Sequence, residues 1–496
     1  MPTDVPQSSL IALGLTPHSG GDRQITGLSV DSRQVRPGHL FAALPGTKVH
    51  GADFVPAALA KGAVAVLTDR AGAALVQAAL SEAGATLVVA EDPRQALAYA
   101  AALFFGQQPA TMIAVTGTNG KTSVATFTRQ IWQVLGYEAV NIGTTGVEGA
   151  YSAPSNHTTP EPITLHRLLA EMAKTGITHA AMEASSHGLA QKRLDGVTLR
   201  AAAFTNFTQD HLDYHATFED YFAAKAGLFG RVLPEDGVAV INMDDPKGEA
   251  MAEIAHARGQ RVIRVGHGEE CEMRLLGKRP DATGQDVRFA WEGKPQMVRL
   301  SLIGEFQAMN VLTAAALVIG CGADPLSVVQ ALGHLTTVRG RMQQVAVREN
   351  GATVFVDYAH TPDAVATALS ALRPHVLGKI VVIVGAGGDR DRTKRPLMGR
   401  AATDHADMVF VTDDNPRTED PALIRAAVME GAGPTAIEVG DRAEAILLAV
   451  DKLEPGDALL IAGKGHETGQ VIGTDVYPFD DAEQASVAVA ALDGKI

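Results

Sequence analysis

Thiols are scarce in this chain. Cys271 and Cys321 are the only two. That excludes a disulfide framework and a cysteine-built zinc site, and it suits a reducing compartment, the cytoplasm. Basic charge is also short: 42 Lys and Arg face 56 Asp and Glu, for a formal net charge of −14. Such a chain has no overall field to draw in DNA or RNA, whose binding rests on phosphate neutralisation. Long apolar runs are missing as well. The longest candidate, around Val311 to Ala323, is broken by Thr, Gly and Cys, so it reads as a buried helix and membrane insertion is not expected. The first residues, MPTDVPQSSL, lack a basic start followed by an apolar core, so no secretory signal is expected.

What remains is ordinary globular material, 46% hydrophobic and 20% charged over 496 residues. At about 150 residues per domain that length suggests three domains. Short apolar runs alternate with helical patterns, which predicts α/β architecture with mainly parallel sheets. The first block, 1–108, holds the strand-like Ala63–Leu67 and Thr86–Ala90 and ends in the linker-like Gln107–Thr111. The second, 109–338, opens with the strand Met112–Gly117 and closes with the apolar helix after Asn310. The third, 339–496, carries strands at Thr353–Asp357, Lys379–Gly385, Met408–Asp413 and Ala458–Gly463. Each of these four ends in a loop rich in Gly, Asp, His or Arg. Open parallel sheets bind ligands beyond the carboxyl ends of their strands, so one shared crevice is expected there.

The strongest local signal is Gly117-Thr118-Asn119-Gly120-Lys121-Thr122, followed by Ser123 and a helical pattern to Leu135. Glycines let backbone N–H groups face phosphates, and the helix N-terminus adds positive potential. Lys121 would neutralise terminal phosphate oxygens and the Thr122 hydroxyl would hold Mg²⁺. The strict phosphate-loop pattern wants a glycine where this chain has Val115. A second signal lies in the same block. Glu183 follows an apolar strand, and Asn206 and Thr208–His215 follow another. A carboxylate and an imidazole there suit a hard cation that takes oxygen ligands and waters. His211 and His215 also have the spacing of a zinc pair on a helix. Magnesium is preferred, because no third His or Cys ligand is evident nearby and a nucleotide already needs it. Lys225 sits among Tyr221, Phe222, Leu228 and Phe229, and by pattern alone it reads as a snorkelling lysine. In the third block, Gly385–Pro396 is a glycine turn with four basic residues, Asp414-Asn415-Pro416-Arg417 follows a strand, and Gly463–Glu467 ends the last one. Donors and acceptors of both signs suit a zwitterionic amino acid.

Taken in order, GTNGKT, MEASSHGL, TNFTQDHLDYH, the AAK lysine, GEFQAMN, DYAHTPD and GKGHE resemble the Mur ligases over essentially the whole chain. VDSRQVRPGHLFAALPG near the N-terminus is similar to the UDP-binding domain of members that add the third amino acid or the terminal dipeptide. The resemblance implies three domains: an N-terminal α/β UDP-binding domain, a central mononucleotide-binding ATPase domain of phosphate-loop type, and a C-terminal Rossmann-like domain. TTPE (Thr158–Glu161) and DNPR narrow it to members that extend UDP-N-acetylmuramoyl-L-Ala-D-Glu with meso-diaminopimelate in peptidoglycan precursor synthesis. In that chemistry ATP phosphorylates the D-Glu side-chain carboxylate, and an amine of the incoming amino acid displaces phosphate from the acyl phosphate.

The resemblance also implies roles for single positions. Gly117–Ser123, Asn310, Arg341 and Asp357 serve ATP. Glu183, His211, Thr122 and Lys225, the last as a carbamate, hold Mg²⁺; carbamylation replaces the snorkelling reading of Lys225. Lys121, Lys225, His211 and Glu183 form the catalytic set. Val30, Ser32, Thr47, Lys48 and Val49 contact UDP, although Val30 replaces a usual Leu and Thr47–Val49 is less standard. Thr158, Thr159, Ser185, Gln191 and Arg193 contact the sugar-peptide part. Arg390, Asp414, Asn415, Pro416, Arg417, Gly463 and Glu467 form the diaminopimelate pocket, with Arg417 selecting its distal carboxylate. A monomer is expected. The alternatives are a lysine-adding relative, a folylpolyglutamate-synthase-like ligase, and a non-catalytic nucleotide-binding regulator.

Overall fold

Asp92 before Pro93, Glu161 before Pro162 and Thr361 before Pro362 each start a helix in the same way. The side chain accepts a hydrogen bond from the first-turn backbone, and proline occupies the position whose N–H is not needed. Between such helices lie short strands of Val, Ile, Leu and Ala that form parallel sheets. A computed structural model describes residues 7–46, 49–155, 157–208, 215 and 217–495. Thr47, Lys48 and His211 lie outside the described residues.

The chain divides into two compact units. The first is Met1–Lys121, Gly136–Ile263 and Gly320–Gly322; the second is Thr122–Leu135, Arg264–Ile319 and Ala323–Ile496. In the first unit β1 (Ser8–Ser9) pairs β3 (Gln24–Ile25). A five-stranded sheet runs in the order β2 (Pro17–Ser19), β7 (Thr86–Val89), β6 (Ala65–Thr68), β5 (His39–Ala42), β4 (Gly27–Ser29). All but β2 are parallel within it. Next comes β8 (Thr111–Thr116), the hairpin β9 (Ala139–Gly143) and β10 (Gly146–Gly149), then β11 (His179–Glu183), β12 (Ala201–Phe204) and β13 (Val238–Asn242). Parallel pairing joins β9, β11, β8, β12 and β13 in that order, with β10 antiparallel at the edge. β8, β11 and β12 are apolar throughout except at their ends and lie buried, as central parallel strands must.

In the second unit the end of β14 (Arg261–Gly266) pairs β15 (Met273–Asp281), which continues into antiparallel β16 (Gly284–Trp291) and β17 (Lys294–Leu300). The last sheet runs β18 (Gln343–Val347), β19 (Thr353–Asp357), β23 (Ala458–Ala462), β20 (Ile380–Val384), β21 (Met408–Val411), β22 (Ile437–Glu438). Only β18 is antiparallel. A small hairpin, β24 (Gly469–Ile472) with β25 (Asp475–Pro478), follows β23.

Two expectations shift. The apolar helix read from Val311 to Ala323 spans Phe306–Gly320 instead. Its first turn escaped notice because it holds the polar Gln307 and Asn310, which are buried and bonded to each other at 3.0 Å. His215 is not helical, and the helix after it starts only at Phe218, where the Thr217 hydroxyl caps it. The described half of the expected His211–His215 pair is thus not on a helix. Among the described residues, no helix is long and apolar enough to cross a membrane.

Candidate active site

The strand, glycine turn and helix expected of a phosphate loop are present. β8 ends at Thr116, the glycine turn follows, and a helix runs Lys121–Val134. Gly117 has φ +149°, and a Cβ there would lie 1.9 Å from the Thr205 hydroxyl, so only glycine fits. The loop is clasped from outside by the end of β12. Thr118 N–H donates to Asn206 O at 2.9 Å, Asn119 N–H to Asn206 Oδ1 at 2.8 Å, and the Thr205 hydroxyl to Asn119 O at 2.6 Å. Lys121 Nζ donates to the loop carbonyls of Gly117 and Thr118, both at 2.8 Å. It thus curls over the cradle that its charge would serve.

Lys225 is no snorkelling lysine. It is 1% exposed; Nζ donates to Gly117 O at 2.8 Å and stands 4.5 Å over the Tyr221 ring one helical turn back. The helix Phe218–Gly227 thereby presents its one lysine to the phosphate loop.

Glu183 is the last residue of β11 and is 1% exposed. Its Oε1 accepts from Thr144 N–H at 2.8 Å and its Oε2 from the Thr144 hydroxyl at 3.2 Å. Gly143 is required beside it, since a Cβ would fall 2.0 Å from Oε1. From Glu183 a polar chain runs through the residues expected to hold the sugar-peptide part. The hydroxyls of Thr144 and Thr158 meet at 3.1 Å; the Thr159 hydroxyl donates to Glu183 O at 2.9 Å and lies 3.1 Å from the Ser185 hydroxyl. Arg193 donates to Thr159 O at 2.7 Å and grips Gln191 Oε1 at 2.8 and 3.2 Å. Thr158, Thr159, Ser185, Gln191 and Arg193 are therefore brought together. In the N-terminal sheet, Val30 and Ser32 lie just beyond β4 and Val49 beyond its parallel neighbour β5, with Val30 and Val49 exposed.

In the second unit the Arg341 guanidinium reaches the Thr122 hydroxyl at 3.3 Å and lies 4.5 Å over the Tyr358 ring. Asp357 ends β19. It accepts from Met342 N–H at 2.7 Å and Ala359 N–H at 2.9 Å, and burial pushes its carboxyl up from the ordinary value.

β19, β23, β20 and β21 are parallel neighbours, so their C-terminal loops meet as expected. Gly388 N–H donates to Asn415 O at 2.9 Å, Arg417 Nη1 to Gly388 O at 2.9 Å, and Asn415 Nδ2 to Glu467 Oε2 at 2.9 Å. A Cβ at Gly463 would fall 2.6 Å from Asp414 Oδ2. Pro416 lies within this loop, and Arg390 sits exposed on the neighbouring one. Of the basic run that includes Arg390, Arg392 and Arg395 both pair with Glu419, at 3.1 and 2.9 Å. Arg395 holds the Glu419 carboxyl well below its usual range. Sequence reasoning missed Glu419, the fully buried pair Arg442–Asp481 at 2.7 Å, and Lys464. A lysine between two glycines at an apolar strand end was the one available signal.

Known proteins match along the whole length. The Mur ligase middle domain matches residues 115–318, the Mur ligase glutamate ligase domain 340–465, and the Mur ligase family catalytic domain 24–105. A UDP-N-acetylmuramoyl-L-alanyl-D-glutamate–2,6-diaminopimelate ligase of Bradyrhizobium diazoefficiens is 50% identical, covering 94% of this chain and 95% of its own. One of the same name from Caulobacter vibrioides is 49% identical, over 95% and 97%. A solved structure under that name superposes with TM-score 0.71 at 34% identity, over 98% and 99%. Mycobacterium tuberculosis folylpolyglutamate synthase with ADP shares the fold at TM-score 0.62 and 21% identity, over 75% and 92%.

Proposed function

Because the chain belongs to the Mur ligase family, we propose that it joins meso-diaminopimelate to the D-Glu carboxylate of UDP-N-acetylmuramoyl-L-Ala-D-Glu at the expense of ATP. The observation that carries this reading is the strand-end pocket of Asn415, Arg417 and Glu467, in a chain about half identical to diaminopimelate-adding relatives along nearly its whole length. The domains are 1–108 for the UDP-sugar, 109–338 for ATP and 339–496 for the amino acid. The enzyme works as a single copy in the cytoplasm.

A carboxylate is a poor electrophile, so the reaction needs an activated acyl group. Gly117–Ser123 cradle the ATP phosphates, and Lys121 neutralises the charge that spreads over the transferred group; such positioning and charge stabilisation are most of what phosphoryl transfer needs. Asn310, Arg341 and Asp357 complete the nucleotide contacts. Glu183 fits a magnesium ligand: it is a buried hard-oxygen donor whose hydrogen bonds from Thr144 leave lone pairs available. Thr122, His211 and Lys225 as a carbamate would join it. Magnesium keeps several waters and takes phosphate oxygens, so it needs few ligands from the protein. Bound there, magnesium would offset phosphate charge. Val30, Ser32, Thr47, Lys48 and Val49 hold UDP, and the Thr158–Arg193 network holds the peptide arm. In the amino-acid pocket, Asp414 and Glu467 receive the ammonium end, while Arg390 and Arg417 receive carboxylate. Lysine lacks the distal carboxylate and would leave the Arg417 charge without an anion, its Nη1 bonded only to backbone carbonyls.

Phosphate release from ATP, Mg²⁺ and UDP-N-acetylmuramoyl-L-Ala-D-Glu, with meso-diaminopimelate or L-lysine in parallel, tests the proposal. Release with diaminopimelate alone is the expected outcome. Release with lysine would overturn the pocket assignment, and none with either would remove the reaction.

A further inference from the structure

Between Gly463 and Glu467 stands a lysine to which the reading above gives no task. The Lys464 side chain is 0% exposed, while its partner Glu467 is 33% exposed. Nζ donates to Gly469 O at 2.6 Å, Asn415 Oδ1 at 3.2 Å and Glu467 Oε2 at 3.3 Å. An ammonium has three protons to donate, and here each has an acceptor. We propose that Lys464 is the positioning residue of the amino-acid pocket, fixing Asn415 and Glu467 in the orientation that admits the substrate ammonium; this rests on the function proposed above.

The hydrogen bonds leave little freedom. Asn415 Oδ1 accepts from both Lys464 and Val471 N–H, the latter at 2.9 Å. A flipped amide would set its NH₂ against two donors, so Nδ2 must face Glu467 Oε2, where it lies 2.9 Å away. Glu467 is thus pinned through one oxygen, and Oε1 is left for an incoming cation. The same lysine fastens the start of the β24–β25 hairpin, which is sewn along the Asp414–Arg417 loop. Gln470 Nε2 donates to Asp414 O at 2.7 Å, Arg417 N–H to Val471 O at 3.0 Å, and Gly473 N–H to Arg417 O at 2.7 Å. Removing the ammonium would take one tie from the amide, one from the carboxylate and one from the hairpin at once.

The experiment is steady-state kinetics on full-length Lys464→Met, varying each substrate in turn. KM for meso-diaminopimelate is expected to rise on the order of tenfold or more, as loss of a charged hydrogen-bond partner implies. KM for ATP and for the UDP precursor should stay within about twofold. In a Glu467→Gln background the same substitution should add little, because the two act as one unit. An unchanged diaminopimelate KM, or equal changes for all three substrates, overturns the proposal. If Lys464→Met melts below assay temperature, Lys464→Gln replaces it, keeping a donor while removing the charge; the same split is expected, and its absence overturns the proposal. Wild-type enzyme that fails to release phosphate with diaminopimelate would instead remove the reaction, a result that can be told apart from either.

Discussion

The glycine loop at 117–122 and the proposed amino-acid pocket are built by opposite means. Gly117–Thr122 is six consecutive residues shaped by peptide geometry, with Asn206 and Thr205 as outside clasps. The pocket draws on loops at 385–396, 414–417 and 463–467, and buried charge holds it together. Arg442, fully buried, forks onto Asp481 at 2.7 Å twice and also donates to Ala462 O at 3.0 Å and Asp413 O at 3.4 Å. Arg395–Glu419 and Lys464–Glu467 add two more ties. A contiguous loop carries its own shape. A pocket assembled from distant loops needs ties strong enough to offset the entropy of ordering them. Damage to the first should therefore cost chemistry, and damage to the second should cost fold or substrate selection.

The largest effect expected is on stability. Asp481→Leu strands the Arg442 guanidinium in the core and should cost about 3–5 kcal/mol, read by urea denaturation. Adding Arg442→Met should recover much of that loss, because the uncompensated charge is then gone. A single variant as stable as wild type would break the comparison. Next is Lys121→Ala, which should lower turnover by about 10²–10³-fold while its melting temperature stays near that of wild type. Unchanged turnover would withdraw the phosphate-loop assignment. The smallest is Gly388→Ala. A Cβ there would meet Pro416 O at 1.9 Å, so the Asp414–Arg417 loop must shift. KM for the amino acid should rise several-fold with KM for ATP unmoved. An equal rise in both would mean that the pocket is not a separate module.

That difference also decides what the sequence could say. The phosphate loop was legible because strand, glycines, lysine and helix are adjacent along the chain. The four strand ends of the C-terminal sheet were legible because each apolar run stops at Gly, Asp or His. Glu161, Asp92 and Thr361 mark helix starts that local rules identify. Asp481, Glu419 and the β24–β25 hairpin were not legible. Each acquires its role only from a partner 24 to 56 positions away, as in Arg395–Glu419 and Gln470–Asp414. Lys464 is the instructive case: its neighbours Gly463 and Glu467 were singled out, yet the residue between them points into the protein and finds its partners there. Lys225 needed the resemblance, since a helical apolar face around a lysine looks the same whether the amine reaches water or a phosphate loop.

Arg417 has φ +50°, the left-handed region where side chains crowd the backbone. That one turn stores about 1–2 kcal/mol, and glycine would occupy it almost without strain. Arg417→Gly would therefore relax the backbone while removing the guanidinium that the proposed function assigns to the distal carboxylate. Stability and selectivity are set against each other at this one residue.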